Sequence, residues 1–267
     1  MDEKDTKPFE GFVKTLTSRT AGSIDQMLLA ERGVLFCELS ILSYTSTAFA
    51  QGWATKMGFT TTRRFLVNGF VGYLFANETD LVIAFRGINV RSFDNFDDAF
   101  NVAFGPEGSH AGFRGALATL WKVMAPAVDK LRTGRKVWAT GHSLGGAMSL
   151  ILAGLCRELE IEAIHSFGAP RSGSLGFVST IKTPHMRWVN HHDIVPHMPP
   201  AWKGYNHYGE EHYFDGEGEI VNSFWGRAKR LITRITDWMR FDSLTDHSIF
   251  NYRERLLDLQ ESANGQR

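Results

Sequence analysis

Residues 136 to 154, KVWATGHSLGGAMSLILAG, constrain this chain most tightly: an apolar run enters a pinch of glycines around one serine and leaves apolar at helical spacing. Gly141-His142-Ser143-Leu144-Gly145 fits G-x-S-x-G, and it lies at a strand end just before a helix, where that pattern has a physical meaning. The turn is so tight that only small residues fit on either side of Ser143, whose hydroxyl then stands above the sheet. In a chain with 26 glycines the pattern alone is a weak signal, and the strand-turn-helix context supplies its specificity. The plainer alternative is a glycine-rich turn whose serine merely caps a helix.

The rest of the chain is read around that turn. Residues 1 to 22 are polar and are expected to be irregular, as are 262 to 267; residues 23 to 46 repeat apolar side chains every three or four positions, as one long helix or a pair. RRFLV, FVGYLFA and LVIAF follow at short spacing, with NETD as the turn between the last two, which predicts antiparallel strands leading into a main sheet. Residues 112 to 132 return to helical periodicity. From 136 the order is strand KVWAT, helix AMSLILAGLCREL, strand EAIHSFGAP, a short helix and strand MRWVN. Such alternation implies right-handed crossovers and a mostly parallel sheet flanked by helices, an α/β class. GYNHYGEEHYFDGEGEIV is read as a hairpin turning at DGEG, and two helices close the chain. With no internal repeat or convincing linker, one domain over residues 1 to 267 is the economical count.

A serine hydroxyl is a poor nucleophile until a histidine takes its proton, and the histidine needs a carboxylate to fix its tautomer and stabilise its charge. On a sheet of this kind the partners follow the serine in the order acid, then histidine. Asp193, in RWVNHHDIVP, sits at the end of a later strand and is closed off by Pro196; Asp215, Asp242 and Asp246 are the fallback acids. Ten histidines make the base harder to choose. His142 neighbours the serine and is expected to point away from it, His110 and His165 precede or flank the wrong strands, and His207 and His212 fall on the expected hairpin. His247, in SLTDHSIFNY, follows every strand and precedes the last helix, which makes it the candidate base, against the alternative of a histidine that only caps that helix.

Seven stretches now carry a resemblance: VIAFRG (82 to 87), HAGF (110 to 113), GHSLGGA (141 to 147), FGAPRSG (167 to 173), VNHHDIVP (189 to 196), GYNHYGEEHY (204 to 213) and DHSIFNY (246 to 252). In this order, over roughly residues 30 to 255, the chain resembles the class 3, or fungal-type, lipases of the α/β-hydrolase superfamily. The resemblance implies an α/β-hydrolase fold with a helical lid, Ser143 as nucleophile, Asp193 as orienting acid and His247 as base. It also implies an oxyanion hole from the backbone N–H groups of Leu144 and Ile88. In the family a threonine or serine usually follows the Arg-Gly pair, and its hydroxyl adds a donor; Ile88 keeps the N–H and lacks the hydroxyl, and its side chain could instead pack in an acyl pocket. Fungal members also carry disulfides that two cysteines cannot supply.

The implied chemistry is acyl transfer through an acyl-enzyme, with no cofactor: a carboxylic-ester hydrolase acting on acylglycerols at an oil-water or membrane interface, or alternatively a phospholipase A1 or a feruloyl or short-chain esterase. Twenty-nine basic residues balance 29 acidic ones, so a nucleic-acid partner is not indicated, and no obligate protein partner is inferred. A zinc hydrolase is the rival class, because His191, His192, His197, His207 and His212 crowd together with Asp193 and Glu210. HYGEEH has one residue too many for H-x-x-E-H, and on a strand His207 and His212 would face opposite sides. A non-catalytic lipid-binding protein is the third reading, and the full Ser-Asp-His set argues against it. Cys37 and Cys156 lie in apolar helix-like stretches as buried thiols, and the N-terminal residues lack the apolar core of a signal peptide, so the cytoplasm is the default address unless a leader was removed.

Two amphipathic stretches remain. In residues 89 to 104, Phe93, Phe96, Phe100 and Phe104 recur every three or four positions opposite Asp94, Asn95, Asp97 and Asp98, as in a movable lid or a fixed surface helix. In 224 to 239, Phe224, Ala228, Leu231, Ile235 and Trp238 oppose Arg227, Lys229, Arg230 and Arg234; such a helix covers the sheet or lies on an anionic membrane.

Overall fold

A computed structural model of the chain describes residues 7–20, 22–88, 103–218, 220 and 243–265. Phe93, Phe96 and Phe100 of the expected lid and the basic stretch 224–239 lie outside the described residues.

The sheet has seven strands in the order β1-β2-β3-β4-β5-β7-β9. Its first three, β1 (Thr61–Val67), β2 (Phe70–Ala76) and β3 (Asp80–Phe85), form the expected antiparallel meander. From β3 onward, β4 (Lys136–His142), β5 (Ala163–Phe167), β7 (His185–Asn190) and β9 (Glu210–Phe214) run parallel. The parallel strands are buried nearly end to end, as sheets covered on both faces must be, whereas β1 at the edge carries exposed residues.

Helices supply the two covers. α4 (Ala111–Arg132) and α5 (Leu144–Leu155) bury Phe113, Leu120, Met148 and Ile151 against one face, together with Leu74, Ile83 and Ile164. On the other face lie α2 (Leu29–Leu42) and α8 (Ile249–Gly265), with α3 (Thr47–Lys56) beside them; Phe36, Leu39, Tyr252 and Leu256 meet Trp138, Phe167 and Trp188. Gly33 is where α2 comes closest: a Cβ there would stand 2.7 Å from Leu256 Cδ2 and 3.1 Å from the Trp188 ring. A pair of two-residue strands, β6 (Gly173–Ser174) and β8 (Tyr205–Asn206), is followed and preceded by the short turns that include α6 (Leu175–Val178).

One expectation is extended and one corrected. The stretch read as a hairpin does more than turn at DGEG: β8 pairs with β6, and β9 joins the main sheet beside β7, where His212 and Phe214 stack on Trp188. The expected turn is there, with Gly218 N–H donating to Asp215 C=O and an antiparallel bridge from Phe214 to Ile220 across it. Residues 7–20 are not wholly irregular. α1 (Lys7–Phe12) is helical, Val13 and Leu16 are buried, and the Thr17 and Ser18 amides donate to the fully buried Glu38 carboxylate at 3.0 Å. That carboxylate also accepts from Arg253 Nε at 2.8 Å, so a buried charge on α2 is satisfied only if the N-terminal segment and α8 both close on it. At the other end, residues 262 to 265 continue α8.

Candidate active site

Sheets of this type place ligands beyond the carboxyl ends of their strands, and the candidate residues all emerge there: Gly87 and Ile88 after β3, Ser143 after β4, Gly168 after β5 and Asp193 after β7. Ser143 joins β4 to α5 with φ 57° and ψ −128°, a sparsely populated region that costs about 1–3 kcal/mol for a residue with a Cβ. Space dictates that conformation. A Cβ on Gly141 would lie 2.3 Å from the Gly145 backbone, and one on Gly145 would lie 2.0 Å from the Phe85 carbonyl oxygen. The Ser143 amide donates to Phe167 C=O at 2.9 Å, tying the turn to β5.

Gly87 brings a second backbone to the serine. A Cβ at Gly87 would stand 3.0 Å from Ser143 Cβ and 2.6 Å from the His142 carbonyl, so only glycine lets the Arg86-Gly87-Ile88 strand end pass there. Ile88 packs its side chain against the core cluster under α5, and Leu144 is the first residue of α5, whose leading N–H groups have no intrahelical acceptor.

Asp193 and His247 are both fully buried and meet directly, with His247 Nδ1 2.8 Å from Asp193 Oδ2. The same oxygen accepts from Tyr252 Oη at 2.6 Å, and Oδ1 accepts from the Val195 amide at 2.9 Å. A carboxylate satisfied in this way favours the proton on His247 Nδ1, which leaves Nε2 with a free lone pair; that atom is buried and has no hydrogen-bond partner among the described residues. Burial, reinforced by the neighbouring Asp193 charge, pushes the Tyr252 phenol well above the ordinary tyrosine range, so it remains a donor. Gly168, at φ 59°, makes room for the pair: a Cβ there would lie 2.6 Å from Asp193 Oδ2 and 3.0 Å from His247 Nδ1.

His247 sits between α7 (Ser243–Asp246) and α8, and its loop is tied to β7. Asn190 Nδ2 donates to Asp246 C=O at 3.0 Å, and the His192 amide donates to Asp246 Oδ2 at 3.0 Å. Asp246 is thus occupied as a clamp, while Asp215 accepts from the Glu217 amide within its own turn. Asp242 lies outside the described residues.

Sequence reasoning missed several members of this arrangement. His142 does not simply turn away from the site: its Nε2 is 2.7 Å from the His247 carbonyl and its ring centroid is 4.5 Å from that of His247. Tyr44 and Tyr252 were hidden inside helical stretches. A tyrosine five residues after the candidate base was the one visible signal for Tyr252. Of the lid residues, Phe104 is described; it is 41% exposed and stacks on Tyr205 at 4.3 Å.

The histidines weighed as zinc ligands are used separately. His207 Nε2 is 2.6 Å from Pro196 C=O, His212 stacks on Trp188 at 4.6 Å, and His191 and His192 lie ring against ring at 3.5 Å. Among the described residues no three His, Cys, Asp or Glu side chains gather as a metal-binding group.

The family model Lipase (class 3) matches residues 80–203, which carry Gly87, the serine turn, Gly168 and Asp193. A lipase of Rhizomucor miehei is 33% identical over 162 residues, covering 54% of this chain and 45% of the relative. The secreted mono- and diacylglycerol lipase 1 of Fusarium solani is 32% identical over 153 residues, 51% of this chain and 44% of the relative. The chain therefore spans about half the length of the curated relatives it matches. A solved triacylglycerol lipase, described as having a serine protease triad at its catalytic centre, superposes with a TM-score of 0.60 at 25% identity, covering 76% of this chain and 90% of the other. The sheet order, the serine turn and these likenesses agree: over residues 80–203 the chain is similar to the class 3 lipases, and it shares the α/β-hydrolase fold of the solved lipase it superposes on.

Proposed function

We propose that the protein is a serine carboxylic-ester hydrolase acting on acylglycerols, with Ser143 as nucleophile, His247 as base and Asp193 as the acid that orients it. His247 Nε2 takes the Ser143 Oγ proton as Oγ attacks the ester carbonyl. The N–H groups of Leu144 and Ile88 hold the oxyanion. His247 then returns the proton to the departing alcohol, and water, activated by the same nitrogen, releases the acid. The observation that carries this reading is the buried Asp193–His247 pair, joined at 2.8 Å through Nδ1 with Nε2 unpartnered, together with a serine held in a strained turn.

Acylglycerol is the favoured substrate class because one relative is a mono- and diacylglycerol lipase by name and a solved neighbour is a triacylglycerol lipase. An apolar rim fits a lipid surface: Leu175 is 66% and Trp202 81% exposed, on segments that flank the β6–β8 pair, and Phe104 stacks on β8. No described helix is long and apolar enough to cross a membrane. The relatives do not support the cytoplasmic default, one of them being named a secreted lipase, and the reading that goes with them is export. With Cys37 and Cys156 both free, the fold needs no disulfide in either compartment.

The test is Ser143→Ala assayed on p-nitrophenyl esters of graded chain length and on triglyceride and phospholipid emulsions. Turnover is expected to fall on the order of 10⁴-fold or more with folding intact, and a fluorophosphonate is expected to label the parent protein at Ser143. Turnover within about tenfold of the parent would remove the serine mechanism.

A further inference from the structure

Tyr44 and His142 take no part in the chemistry proposed above, yet together they join its two halves. Tyr44, just beyond α2, is 5% exposed, and His142, the last residue of β4, is 3% exposed. The Gly87 amide donates to Tyr44 Oη at 3.0 Å, Tyr44 Oη lies 2.9 Å from His142 Nδ1, and His142 Nε2 lies 2.7 Å from the His247 carbonyl oxygen.

The direction of every proton follows. A ring nitrogen facing a carbonyl oxygen must carry the hydrogen, so His142 is protonated on Nε2 and Nδ1 is left as acceptor. Tyr44 must then donate to Nδ1, and its oxygen lone pairs receive the Gly87 N–H. The path runs one way, from Gly87 through Tyr44 and His142 to the backbone of His247, with each group paired.

We infer that Tyr44 and His142 are positioning residues, a strut that fixes the Gly87 backbone, from which the Ile88 N–H follows, relative to His247. The proposal rests on the serine-hydrolase reading, since it concerns the distance between the oxyanion donor and the base.

The strut is built to hold one protonation state. Burial, with the adjacent His247 as a second cause, holds His142 well below the ordinary histidine range, and burial raises the Tyr44 phenol. A second proton on His142 would turn Nδ1 into a donor and leave the Tyr44 hydroxyl hydrogen without its acceptor. Phe9 from α1 stacks on Tyr44 at 4.7 Å, and it also faces Phe250 at 6.2 Å, the third residue beyond His247. The N-terminal helix thereby covers the strut.

Tyr44→Phe keeps that stacking and removes only the hydroxyl. On a soluble p-nitrophenyl ester, kcat per folded molecule is expected to fall about 10- to 100-fold while KM stays within about threefold, because the substrate contacts are untouched and the reacting groups are displaced. Phosphonylation by a fluorophosphonate is expected to slow in parallel. His142→Gln, whose amide N–H can still reach the His247 carbonyl, is expected to retain more kcat than His142→Ala. The Tyr44→Phe, His142→Gln double variant is expected to be little worse than its poorer parent, since both changes cut one path.

Folded concentration is taken from near-UV circular dichroism, so that lost stability is not counted as lost turnover. Should Tyr44→Phe not fold, the two His142 variants decide. Parental kcat per folded molecule in Tyr44→Phe, or equal and parental kcat in both His142 variants, overturns the strut alone, provided Ser143→Ala is inactive. Turnover that survives Ser143→Ala overturns the strut together with the reading beneath it.

Discussion

Ser143 and His247 are held by opposite means. Around the serine the constraint is steric: two glycines have no room for a methyl group, and the strained turn persists because the packed backbone of β3 and α5 permits no other path. Around the histidine the constraint is polar. Asp193, Tyr252, His142, Asn190 and Asp246 fix its ring and its loop through hydrogen bonds from α8, β4 and the end of β7. Steric walls fail all at once when filled, whereas a hydrogen-bonded frame loses its parts one at a time.

The sharpest way to break this contrast is Gly145→Ala. Its added methyl carbon would stand 2.0 Å from the Phe85 carbonyl oxygen, a backbone atom at the end of β3 that cannot swing aside as a side chain could. The expected loss is about 5 kcal/mol or more, enough to exhaust the stability of an ordinary domain, measured by urea unfolding or seen as absence of folded protein. A variant that unfolds at the parental midpoint would show that the elbow has slack, and the steric account would go.

Acid tests the polar side by a smaller, graded effect. Burial lowers His110 to about 4 and His185 to about 3, and holds His142, His165 and His207 well below the usual range. In the unfolded chain these histidines titrate near about 6.5. Folded values below unfolded ones mean that the unfolded chain binds more protons, so stability is complete above about pH 6.5 and falls as the pH drops toward 4. The urea midpoint is expected to decline between about pH 7 and 5, and less steeply in His142→Gln, where one such proton acceptor is missing. A level midpoint over that range would mean that the histidines are not held neutral.

The same contrast explains what could be read from the sequence. A steric demand is met by neighbours along the chain, so Gly141-His142-Ser143-Leu144-Gly145 announces itself as a local pattern, and the alternation of strands and helices around it gives the sheet. Asp193 and His247, which the structure brings together at 2.8 Å, could be singled out because an acid and a base of a serine hydrolase on such a sheet follow the serine in that order. Their supports could not. Tyr44 and His142 are 98 residues apart, and Tyr252 and Asp193 59 apart, and nothing in either neighbourhood distinguishes a tyrosine that packs from one that also donates. The place of β9 in the main sheet was hidden for a related reason: it finds its partner in β7 across a loop, before the turn at Asp215. The N-terminal segment was read as irregular because its anchor, Glu38, is a charge buried inside an otherwise apolar helix.

Tyr252→Phe is the mildest of these changes and measures what one part of the polar frame contributes. The ring stays packed between Phe167 and His142, so volume is unchanged, and only the hydroxyl is lost. Two partners feel it. Asp193 Oδ2 gives up its 2.6 Å donor, and the buried Asn190 amide loses the acceptor it had at 3.1 Å. A hydrogen bond to a charged group, with a buried donor left unpaired, sets the cost at about 1.5–3 kcal/mol in the urea midpoint. Activity should fall less than in an Asp193 variant, about tenfold in kcat, because Val195 N–H and His247 Nδ1 still hold the carboxylate. If Tyr252→Phe cost stability while leaving kcat at its parental value, Tyr252 would serve packing alone, and the frame around His247 would be one support smaller than its hydrogen bonds suggest.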